Sequence, residues 1–245
     1  MTSLRPFPGR MAKRRERGFS LLELSVVLVV IGLLIGAVAV GRDLQRSAAN
    51  QRLSTDFIQG WQLAYEAYFN GVGRPPGDDP LSPSGRVNGA GAAAGTELCG
   101  VPMIEAFLAA GIRVPTGRTE GLQDRYVYLD SNGNPQEARV CFQSASWWEP
   151  GATLNAYEDR RRNVMVIHGV TFSLAGALDQ QIDGRSDARF GSLRDIDLAG
   201  VSTKYATAQV AKEWPINDSM DFNRNPTALD ESQVAITTAL FKMMR

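Results

Sequence analysis

Few residues in this sequence could carry chemistry. The chain of 245 residues has one histidine, His168, and two cysteines, Cys99 and Cys141. That set falls short of a four-ligand Cys/His zinc site and leaves little material for a Ser-His-Asp or Cys-His hydrolase. His168 closes the apolar run at 163–168 and reads as a packed or rim histidine, not a base. Asp130, Asn132 and Asn134 place side-chain oxygens at the alternate positions that calcium loops use. The twelfth position from Asp130, where an EF-hand needs glutamate, is Cys141, and Asn132-Gly133 is also a plain hairpin turn, so both readings stand. Arg160-Arg161-Arg162 reads as a solvated loop, with a phosphate contact to DNA or lipid as the alternative. Of Trp147 and Trp148, one is expected in the core and one at the surface. No Walker loop, GxGxxG turn or HExxH helix occurs. The expectation is a protein with no reaction of its own and no cofactor, calcium at Asp130, Asn132 and Asn134 being the one candidate.

Glu23 stands out for its surroundings. Residues 19–41 read FSLLELSVVLVVIGLLIGAVAVG, with Glu23 the only charge. As a helix they span about 34 Å, enough for a hydrocarbon core of about 30 Å. An acid there is costly, and intramembrane charges usually have a partner. Val26 and Val27 occupy the positions one turn on, so no cation in its own helix answers it. A solvated place at headgroup depth is one reading, and a partner from elsewhere is the other.

The elements around this run divide the chain by charge. The whole carries 26 basic and 26 acidic residues, with 44% hydrophobic, 21% charged and 8% aromatic residues, which excludes wholesale disorder and a strongly basic nucleic-acid binder. Residues 1–18 hold six basic residues against Glu16, which leaves 20 basic and 25 acidic residues in the remainder. A basic segment ahead of an apolar run stays on the cytoplasmic side. After the run no proline occurs before Pro75, and Phe57, Trp61, Ala64, Tyr65 and Tyr68 share one helical face, following Leu44 and Ala48. One helix is expected over about 19–70, roughly 78 Å long. A signal peptide cut near Ala37-Val38-Ala39 is the bland alternative.

Arg17-Gly18-Phe19-Ser20-Leu21-Leu22-Glu23, between the basic leader and the apolar run, resembles the cleavage and methylation motif of type IV prepilins and type II secretion pseudopilins. The resemblance implies a prepilin peptidase that cuts after Gly18 and methylates the new amine of Phe19. It also implies that Glu23 pairs with the terminal amine of a neighbouring subunit during assembly, which supplies the missing partner. It covers about residues 13–80, and Arg74-Pro75-Pro76-Gly77-Asp78-Asp79 is similar to a Leu-Pro-Gly-Asp-like segment of a less-studied pilin-like branch. Ile182-Asp183-Gly184 and Phe190-Gly191 are loosely similar to a later Asp-Gly…Gly segment of that branch. Gly32, Gly36 and Gly41 stand in place of the proline that softens the helix of major pilins, which points to a minor subunit. Gly32 and Gly36 also have the spacing of close helix approach.

The resemblance implies an α+β, pilin-like fold. The domains are a cleaved leader at 1–18, a membrane and assembly half-helix at 19–41, an amphipathic half at 42–70 and a loop-rich, mainly antiparallel β head at 71–245. Residues 71–96 read as a long loop, 102–110 as a short helix stopped by Gly111, and 125–130 and 138–143 as a hairpin around Asn132-Gly133. Strands are expected at 163–168 and 189–196. Helices are expected from a Thr171 cap to about Ile182 and from an Asp230 cap through Val234, Ile236, Ala239 and Leu240. With the topology the motif implies, the head lies where disulfides persist. Cys99 and Cys141 then close a loop of about 43 residues, for roughly 4 kcal/mol; two unpaired buried thiols are the alternative.

The expected partners are a prepilin peptidase, other pilin or pseudopilin subunits, an inner-membrane assembly platform and the lipid bilayer. The expected location is the bacterial inner membrane, single-pass, with the head in the periplasm or at the cell surface within a filament. The alternatives are a signal-anchored periplasmic binding module and a tip pilin for adhesion or DNA uptake.

Overall fold

The computed structural model describes Gly18 and residues 20–89, 96–153, 156–199, 211–220 and 234–244. The leader before Gly18, Phe19, the small-residue stretch at 90–95 and Asp230 lie outside the described residues. The chain divides into two units, residues 1–45 and 46–245.

Helix α1 (Leu21–Arg52) is followed directly by a π-helical turn (Leu53–Ile58) and α2 (Gln59–Val72). Within the π turn the Thr55 hydroxyl donates back to Gln51 O at 2.9 Å, a kind of bond that loosens the local ladder. Gly73, left-handed at φ +78°, ends α2 by donating to Phe69 O at 2.8 Å, two residues before Pro75-Pro76. Phe57, Trp61, Ala64, Tyr65 and Tyr68 are all buried, as their spacing requires. The buried face begins at Leu53, however, because Leu44 and Ala48 are exposed.

Among the described residues the sheet has six strands, every pair antiparallel: β1 (Leu98–Cys99), β2 (Arg125–Leu129), β3 (Pro135–Pro150), β4 (Tyr157–Thr171), β5 (Leu193–Asp195) and β6 (Ile236–Lys242). Its order is β1-β3-β4-β6-β5, with β2 also paired to β3. Between the strands lie α3 (Gly100–Ala109), α4 (Phe172–Asp183) and α5 (Ile196–Ala199). The β2–β3 hairpin turns at the expected residues, and α4 starts where Thr171 Oγ1 accepts from Leu174 N–H. Glycine is required in β4 at the bulge, where Gly169 has φ +72° and a Cβ would strike the Glu137 carbonyl.

Three expectations on secondary structure need correction. The segment expected as a terminal helix is β6, the strand between β4 and β5. Ile236-Thr237-Thr238 is β-branched, and a central slot pairs the backbone on both sides, which outweighs the helix-like spacing. The expected strand at 189–196 shrinks to β5, and Arg160-Arg161-Arg162 lies in β4, not in a loop. Charge hid that half of β4 from hydropathy, since pairing with β3, not burial, makes it a strand.

One face of the sheet packs on the helices through an aromatic cluster. Trp61 meets Phe107 and Phe142 at ring distances of 5.6 and 6.1 Å, and Tyr65 meets Phe142 at 5.1 Å. Trp61 Nε1 donates to Gln123 O at 3.2 Å, which satisfies its buried indole. The opposite face holds a smaller core of Cys141, Trp147, Val164, Val166, Ala199 and Leu240. Trp147 is fully buried as expected of one of the pair, Trp148 is half-buried where a surface position was expected, and the Arg194 guanidinium lies 4.1 Å from the Trp147 ring centre.

Candidate functional site

The amino end is built by its own residues. Gly18 and Ser20 are exposed and not helical, and the helix begins at Leu21. Ser20 Oγ accepts from Glu23 N–H at 3.1 Å, and Glu23 Oε2 accepts from Ser20 N–H at 3.1 Å. This reciprocal pair is a capping box, and it sets a carboxylate at the positive end of the helix dipole. Reading Glu23 for a cation missed this role, although the Ser-x-x-Glu spacing is its signal. From Leu21 to Val38 the helix is long and apolar enough to cross a membrane, and none of that stretch is buried. An exposed, non-helical Gly18 and Ser20, a capped start and an uncovered apolar helix thus follow one another.

Residues 13–39 match the prokaryotic N-terminal methylation motif. The chain carries the prepilin and pseudopilin signature. The apolar amino-terminal helix followed by an antiparallel sheet with helices fits a pilin-like fold. No curated protein and no solved structure matches the chain.

Beyond the amino-terminal helix the two cysteines meet. Cys99 and Cys141 form a disulfide between directly paired positions of β1 and β3, with Cα atoms 4.5 Å apart. Beside it, His168 Nε2 lies 2.8 Å from Glu97 Oε2, while Nδ1 contacts Thr238 Oγ1 at 3.2 Å. The hydrogen bond to His168 holds the Glu97 carboxyl below its ordinary range. Glu97, Cys141 and His168 converge as metal-ligand types do, but the Cys141 sulfur is bonded to Cys99 and is not a thiolate. His168 is thus a rim residue, as expected.

The other sequence candidates resolve into local structure. Asp130 Oδ1 accepts from Asn132 N–H at 2.8 Å and from Asn134 N–H at 2.9 Å, and Oδ2 accepts from Gln136 Nε2 at 3.0 Å. These bonds shape the hairpin turn. Arg162 pairs with Glu149 at 2.6 Å, Arg160 with Glu158 at 3.2 Å, and Arg161 donates to Ser144 O at 2.9 Å. The hydrogen bond from Arg162, with help from Lys242, holds Glu149 down at about 2. The three arginines are thus engaged within the head.

Two segments that sequence likeness had marked turn out to be carboxylate-centred loops. Asp78 is buried and accepts from Ser84 Oγ at 2.7 Å, Ser84 N–H at 3.1 Å, Gly85 N–H at 2.8 Å and Asp79 N–H at 3.0 Å. In the later segment Asp183 accepts from Ser192 N–H at 2.6 Å and Leu193 N–H at 3.0 Å. Gly191, at φ +90°, lies so close to that carboxylate that a Cβ would collide with it. Asp179, one turn before Asp183 and fully buried, accepts from Asp187 N–H at 2.6 Å and Trp214 Nε1 at 3.0 Å. Burial, and then the neighbouring Asp183 carboxyl, push Asp179 up to about 8.

Proposed function

We propose that the protein is a pilin-like structural subunit, made as a prepilin and assembled as a minor component of a type IV pilus or a type II secretion pseudopilus. The observation that carries this reading is the methylation motif at residues 13–39 running into an apolar helix with no buried residue from Leu21 to Val38. The leader is removed after Gly18 and the amine of Phe19 is methylated by a prepilin peptidase. The helix holds the protein in the inner membrane, head outward, until it leaves the bilayer for a bundle of like helices. The Cys99–Cys141 disulfide suits a head folded in an oxidising compartment. Glu23 pairs in the assembled state with the methylated amine of a neighbour; a lone carboxylate in lipid is costly, and the pair removes that cost. The chain itself catalyses nothing, and the peptidase acts on it as substrate.

Mass spectrometry of the amino terminus, after expression with a prepilin peptidase, tests the proposal. N-methyl-phenylalanine at Phe19 is the expected result. An intact leader, or cleavage near Ala39, would leave a plain anchor or a secreted domain and overturn it.

A further inference from the structure

A row of basic side chains crosses the sheet on the face away from the aromatic core. Arg125 pairs in register with Arg139, Arg139 with His168, and His168 with Thr238. Directly opposed residues project from the same face, and like charges so placed are unfavourable unless an anion answers them. Among the described residues the ion pairs fall at the two ends of the row, and Glu97 is near enough to feel the charge of Arg139 as well. Glu137 takes Arg125 at 3.0 Å and Arg118 at 2.7 Å, and Glu97 takes His168 at 2.8 Å. Arg139, in the middle, makes no hydrogen bond or ion pair among the described residues. Asp124 feels both guanidiniums, but both of its oxygens are buried without a hydrogen bond, and burial raises its pKa, which weakens it as a counter-ion. Above the row lies a groove of about 420 Å³ whose lining includes Arg125, Glu137, Arg139, His168, Ile236 and Thr238.

We propose that this groove is a binding site for a single oxyanion, a carboxylate or phosphate group, held by the Arg139 guanidinium beside Arg125. A guanidinium is a planar fork of donors matched to two oxygens of such a group. The concavity gives room for a small acid or for the end of an acidic side chain. A polyanion is a poor occupant, because the chain beyond residue 18 holds 25 acidic residues against 20 basic ones and repels it as a whole.

The test is calorimetric titration of the full-length, disulfide-intact protein in detergent with inorganic phosphate and, separately, succinate, chloride balancing the ionic strength. Single-site saturation by either anion is expected, and whichever binds names the class. Arg139→Gln is expected to weaken binding about tenfold or more, the scale of a lost charge-assisted hydrogen bond. Its melting temperature without ligand is expected to be no lower than that of the parent, since the substitution relieves like-charge opposition. Arg139→Lys keeps the charge without the fork and is expected to bind more weakly than the parent. Arg160→Gln, far along the hairpin, is expected to bind unchanged. The proposal fails if neither anion saturates, if Arg139→Gln binds as the parent does, or if Arg160→Gln loses as much.

Discussion

Glu23 does two separable things. Its carboxylate closes the capping box with Ser20, and in the proposed filament it answers a neighbour's amine. Alanine removes both, so loss of assembly in Glu23→Ala has two causes. Glutamine serves equally well in a capping box but carries no charge. Glu23→Gln is therefore expected to insert and to be cut as the parent is, yet to recover far fewer partner subunits on crosslinking in membranes. Full recovery would leave the cap as the residue's role and remove the charge-pairing account. The other single residues show a similar division. The methylation motif that holds Gly18 and Glu23 was legible because its neighbours in sequence are its context. The oxygens of Asp130 were legible as a spacing, but only the turn shows which donors they meet.

At the scale of elements, α4 binds two loops through carboxyls one turn apart. Asp179 holds Asp187 and Trp214, and Asp183 holds Ser192 and Leu193. Asp179 is raised to about 8 in the folded head, whereas in the unfolded chain it titrates near about 3.9. The folded state keeps a proton that the unfolded state gives up. The stabilising contribution is thus complete below about pH 4 and is lost as pH rises toward 8. Asp195, buried and raised to about 6, adds to this over the lower part of that range. Asn at 179 keeps an acceptor for Asp187 and Trp214 and has no proton to lose. Asp179→Asn is expected to melt higher than the parent at pH 8, with the gap closing toward pH 4. Thermal melts across that range check it, and parallel curves would defeat it. None of this was visible in the pattern of residues 179–191, which shows acids and glycines but neither their burial nor their distance.

For the molecule as a whole, no described residue before Leu53 is buried. The cores are assembled from Leu53 onward. A chain beginning at Arg46 is expected to be soluble without detergent and to melt within a few degrees of the full-length head. A broad or absent transition would show that the apolar helix is needed to fold the head. The sequence by itself determined the parts whose physics is local. An unbroken apolar run makes a helix long and apolar enough to cross a membrane, Ser-x-x-Glu is a cap within one turn, and the face from Phe57 to Tyr68 repeats with the helix period. Asn132-Gly133 needs no distant partner to be a turn. The tertiary structure alone decided what depends on pairing between distant residues. It made Ile236–Lys242 a central strand although its apolar spacing suited a helix, and it placed the charged half of β4 in a ladder with β3. It also aligned Arg125, Arg139 and His168 across three strands. Register across a sheet is a long-range property: a shift of one residue would turn that row to the other face, and no local pattern records it.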